Sequence, residues 1–131
     1  MTFVRQVRPA LPTPVTLVIP TPSITATYLT DAFVVPSDRT LHVTRAHFVN
    51  ATGLAVNTSN YFVMNVQNAA SVIGALSTHD TALTAGVGSD DLTLTDANAY
   101  VAAGAALRLN FVLTGSQTLP VGTAIIEGFL L

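Results

Sequence analysis

Cysteine, lysine and tryptophan are absent from the 131 residues, and glutamate occurs once. Without cysteine there is no disulfide framework, no thiolate metal site and no thiol nucleophile. Without lysine, five arginines face seven acids for a net charge of -2, which excludes the basic footprint of a nucleic-acid binder. Charged residues make up 9% of the chain, against about 25% in an ordinary soluble domain. No apolar run approaches the roughly 18 residues of a membrane-spanning helix, and the start lacks the apolar core of a signal peptide. The expectation is a chain with no membrane partner that hides much of its surface against other proteins.

What is present is β-forming sequence punctuated by turns. Thr, Val, Ile, Phe and Tyr fill the periodic stretches, and Gly, Asn, Asp, Ser and Pro separate them. The pattern predicts strands over 15–19, 24–29, 33–35, 41–49, 61–66, 72–76, 92–95, 107–113 and 123–131. Alternation is clearest at Leu107, Leu109, Phe111 and Leu113, with Arg108, Asn110 and Thr114 opposite. In the 61–66 stretch both faces are apolar: Tyr61 and Val63 on one, Phe62, Met64 and Val66 on the other. Such a strand needs a cover on each side. A parity change between Leu41/Val43 and Ala46/Phe48 predicts a bulge near Thr44 and Arg45. The Ala-rich 96–107 stretch reads as a loop with one helical turn, capped by Asp96. The class is all-β, a sandwich or barrel.

Residues 1–22 differ from the rest. They hold five of the seven prolines, Arg5 and Arg8, and no acid; the remainder has three arginines against seven acids. Proline favours extended backbone and removes ladder donors, so 1–22 reads as an extended arm and 23–131 as the sandwich domain. Val4, Val7, Leu11, Val15 and Leu17 are too apolar for a solvated tail. An arm of this kind lies on a surface, its own body's or a neighbour's.

Candidates for chemistry are few. His42 and His47 are five residues apart, which a period of two places on opposite faces, so they make no shared metal site. His79-Asp80 reads as a loop pair. Ser89, Asp90, Asp91 and Asp96 fall short of the six to eight oxygens that Ca²⁺ takes. Asn50 and Asn57 match glycosylation acceptors, a pattern frequent by chance. Glu127, inside an apolar strand, is expected to point outward or pair with an arginine. The reading is no enzyme, no cofactor and no metal.

Three segments carry a resemblance: 45–78 (an Asn-rich loop and a strand ending in a Gln-Asn turn), 81–98 with its "LTAG" loop, and 99–131 with "VAAG", a Leu-rich strand and "LPVGTAIIE". In these, covering about two thirds of the chain, the sequence resembles the small jelly-roll capsid decoration (cement) and head-fibre proteins of tailed bacteriophages. The resemblance implies a jelly-roll-like antiparallel β-sandwich with an N-terminal arm, a homotrimer, and a place on the outer surface of the virion capsid. It also implies non-covalent binding to the major capsid protein, with Val4, Arg5, Val7, Arg8 and Leu11 as the arm's contact residues. Tyr61, Phe62, Val63 and Met64, from the strand apolar on both faces, are the expected trimer interface. A receptor- or carbohydrate-binding module of a fibre or tail is the alternative, weakened by the lack of Trp and the presence of only Tyr28, Tyr61 and Tyr100.

Overall fold

The period-two pattern becomes eight strands in the computed structural model, which describes residues 11–89 and 91–131. They are β1 (Thr13–Thr21), β2 (Tyr28–Val34), β3 (Leu41–Asn50), β4 (Tyr61–Asn68), β5 (Ser71–Ser77), β6 (Tyr100–Val101), β7 (Ala106–Thr114) and β8 (Gly122–Leu130). Two four-stranded antiparallel sheets result, in the orders β1-β8-β3-β6 and β2-β7-β4-β5. Each strand pairs with the one whose number completes nine, as when a long hairpin ribbon is wrapped around a barrel axis. That is the jelly-roll order.

The inward side chains of both sheets form one core. Phe48 from the first sheet meets Phe62 and Phe111 from the second, with ring centroids 6.1 and 5.7 Å away. Leu41, Val43, Met64, Val66, Leu107, Leu109, Ala124 and Ile126 complete it. Phe62 and Met64 are fully buried here. Of the four residues expected at a trimer interface, only Tyr61 and Val63 stand on an outer face.

The expected arm is corrected in part. All nine residues from Thr13 to Thr21 pair with β8, so this stretch is an edge strand of the body. Leu17 and Ile19 pack against the core, which accounts for their apolarity. Leu131 and Thr40 exchange backbone hydrogen bonds of 2.8 and 3.2 Å. Alternation then turns the odd-numbered backbone groups of β8 towards β3. Pro14 and Pro20, opposite Phe129 and Thr123, therefore owe β8 no N–H, and proline is tolerated on this strand. The contact residues Val4, Arg5, Val7 and Arg8 lie outside the described residues.

Three local expectations also change. Ile24 forms only an isolated bridge with Leu119, and the strand expected there begins at Tyr28. It runs without a break through Thr30 and Asp31 because Asp31 binds Arg108 across the ladder and a bulge accommodates Ala32. Residues 92–95 are no strand. The Leu92 N–H donates to Ala46 in the first sheet and the Thr95 N–H to Ile73 in the second, at 2.9 and 2.7 Å. A segment that crosses between sheets cannot stay beside either. The single helical turn is a 3-10 turn over Asp96–Asn98, with Thr95 rather than Asp96 at the cap position.

Candidate functional site

The predicted bulge lies between Val43 and Arg45, opposite Glu127. It decides where the polar residues of β3 point. One extra residue reverses the parity, so His42 and His47, expected on opposite faces, both emerge on the outer face of the first sheet. The inward positions are Leu41, Val43, Ala46 and Phe48. Across β8 the outer residues form rows: Pro14–Phe129–His42, Thr16–Glu127–Arg45 and Val18–Ile125–His47.

The middle row closes an ion cluster. Arg45 Nε donates to both carboxylate oxygens of Asp91 at 2.8 Å, and Nη1 donates to Glu127 Oε2 at 3.2 Å. The hydrogen bond and charge of Asp91, then those of Glu127, raise the guanidinium above its ordinary value. Glu127 thus points outward and pairs with an arginine. His47 Nδ1 is buried, has no hydrogen-bond partner and lies 4.0 Å from Asp91 Oδ1. His42 stacks on Tyr100 at 4.1 Å with its Nε2 3.4 Å from Asp96 Oδ1. One arginine thus holds two carboxylates on this face, and His47 stands beside them without a hydrogen-bond partner.

The other candidates separate. Ser89 Oγ accepts the Phe48 N–H and Asp91 is held by Arg45; Asp90 lies outside the described residues. Among the described residues no group of three or more His, Asp or Glu could hold a metal ion. Asn50 is buried, donating to the Pro120 carbonyl, while Asn57 Oδ1 accepts the N–H groups of Ser59 and Asn60. Both are turn-builders. His79 binds Asp80 at 2.7 Å and meets Tyr61 edge-on. A shallow pocket of about 220 Å³ beside β5 is lined by Ser77, Thr81, Asp91 and Thr93 among others.

A different kind of surface appears at one end of the sandwich. The segments 22–27, 51–60, 81–89 and 115–121 contain no Asp, Glu, Lys, Arg or His. Backbone bonds between Ile24 and Leu119 and between Leu54 and Leu83 tie them together, and the Gly86 N–H donates to the Asn50 carbonyl. From this end project Val87 at 74% exposure, Val121 at 62% and Val56 at 48%, and the exposed His79–Asp80 pair stands at the same end, where the Asn57 N–H donates to the Thr78 carbonyl. The opposite end holds the chain together. Arg39 donates to the carbonyls of Leu131, Leu11 and Leu130 at 3.2, 3.1 and 2.7 Å, and to Thr13 Oγ1. Leu11, the one expected arm contact that is described, is held there by its carbonyl while its side chain stays exposed.

No known protein family matches the chain. No curated protein is similar to it in sequence. The geometry is therefore read on its own terms. Sequence reasoning passed over the Arg45–Asp91 pair and the loop end; the bulge at Thr44, applied to the histidines, would have placed His42 on the face that Arg45 and His47 share, and a scan for sparsely charged loops would have found the second.

Proposed function

We propose that this chain is a capsid decoration protein, a homotrimer that binds the outer surface of a major capsid protein lattice and stabilises the head. The observation that carries the reading is the loop end, where Val56, Val87 and Val121 stand exposed on loops that, among the described residues, bring only the His79–Asp80 pair as charge. Large apolar residues exposed at one end of a domain suit a contact site. A cement protein requires contact area, since whatever binds only the assembled shell stabilises it by mass action. The resemblance in the 45–131 stretch points to the same role.

In this arrangement the loop end seats on the lattice. Residues ahead of Leu11 start from the far end, about 30 Å away along a nine-residue strand. At about 3.5 Å per extended residue, Arg8 and Arg5 lie within roughly 11 and 21 Å of Leu11, so the contacts of Val4, Arg5, Val7 and Arg8 would fall on a part of the capsid surface other than the one under the loop end. Arg5 and Arg8 would meet acidic groups there, a contact weakened by salt.

The test is co-sedimentation with undecorated heads. The expected result is binding in multiples of three copies per lattice site, lost or reduced at least tenfold in V87D/V121D. Full binding by that variant would sink the loop end as the docking surface. Absence of binding by the natural chain would sink the decoration role. A receptor- or carbohydrate-binding role is the second reading, favoured by the row Phe129–His42–Tyr100, whose two outer members are exposed. Retention on a glycan array, abolished by Tyr100→Ala, would favour it.

A further inference from the structure

The two outer sheet faces differ in a way that the loop end does not explain. The first sheet displays His42, Arg45, His47 and Glu127, joined by Asp91 and Asp96 from the loops. The strands of the β2-β7-β4-β5 sheet carry only Asp31 and Arg108 on their outer face, bonded to each other at 2.9 Å, with the His79–Asp80 pair at its margin against Tyr61. The rest is neutral. Val63 lies opposite Val112, Asn65 opposite Asn110, and Tyr61 opposite Thr114.

Leu29 and Val34, both exposed, continue the face along β2.

We propose that this face is the surface through which copies of the chain meet, a proposal that rests on the self-association inferred above and names where it occurs. Four strands spaced about 4.8 Å, each offering about seven residues, give a footprint of roughly 450 Å². Counted on two copies that is about 900 Å² before side-chain relief, close to the roughly 1,000–1,200 Å² at which specific interfaces begin. Charge selects the occupant. The outer face of the first sheet, with Asp91, Asp96 and Glu127 about a single arginine, would repel its own copy, whereas this face pairs Asp31 with Arg108 and brings no net charge from its strands. The ion cluster stays in water on the opposite side.

The experiment is light scattering coupled to size exclusion on the full chain and on V63R/V112R, with Ala75→Glu as a second variant on the same face. Val18→Arg, on the charged sheet, is the control. The natural chain and the control should run as a multiple of 13.6 kDa; the two face variants should fall to 13.6 kDa with their β-sheet circular dichroism intact. If V63R/V112R fails to fold, Ala75→Glu, at an exposed position, decides alone. A natural chain that is monomeric at 100 µM overturns both the self-association and this face. An oligomeric natural chain whose folded face variants keep the same mass overturns the face alone.

Discussion

Gly128 shows how little room the first sheet leaves. It sits between Val15 and Val43 in the ladder, and a Cβ there would collide with the backbone carbonyl of His42. Backbone cannot rotate away as a side chain can. Gly128→Ala should therefore destabilise the fold by about 1–3 kcal/mol, the range for overpacking a tight interior, read as a lower urea midpoint at unchanged slope. Arg39 acts differently, by holding the entry of β1 to the exit of β8 through three carbonyls. Arg39→Ala should lower stability by about 1–3 kcal/mol and speed amide exchange at Leu131 and Thr40. Equal exchange in both proteins would mean that the ladder itself, not the guanidinium, fixes that corner.

Among the elements β8 matters most, being the strand that pairs with both β1 and β3. Removing residues 129–131 takes away Leu130 from the core margin and the Leu131–Thr40 exchange. At about 1.5–3 kcal/mol per buried large apolar side chain, thermal melting should fall by well over 5 °C, if the shortened chain folds at all. Unchanged melting would make the strand end peripheral. The strands legible in the sequence were those with strong alternation, such as β7. Those misjudged were decided by distant partners. Asp31 looked like turn punctuation until Arg108 met it across the sheet, and residues 92–95 looked like a strand although their bonds go to two different sheets. The bulge was readable from parity, but its effect on His42 and His47 follows only when register is tracked through it.

For the whole molecule, the valines of the loop end and the arginines ahead of Leu11 predict different salt behaviour. Contact through Val56, Val87 and Val121 should be nearly indifferent to ionic strength, whereas contact through Arg5 and Arg8 weakens as screening shortens from about 10 Å at 0.1 M to 3 Å at 1 M. Head binding measured from 0.05 to 1 M salt separates the two. A change of less than twofold assigns the binding to the loop end, and a fall of tenfold or more assigns it to the arm. Truncating 1–12 should then abolish whatever salt dependence exists, leaving β1 in place.

The strand order has a consequence for how the protein comes into being. β8 occupies the space between β1 and β3, yet it is the last of the eight strands to be synthesised. Until it emerges, β1 and β3 have a gap between them and no means of closing the first sheet. Contacts between strands so far apart along the chain form slowly. A growing polypeptide can assemble the β4–β5 hairpin early but must keep Val15, Leu17 and Ile19 uncovered until β8 has been made. Chains interrupted before β8 would expose those side chains to aggregation and should be degraded rather than persist in shortened form.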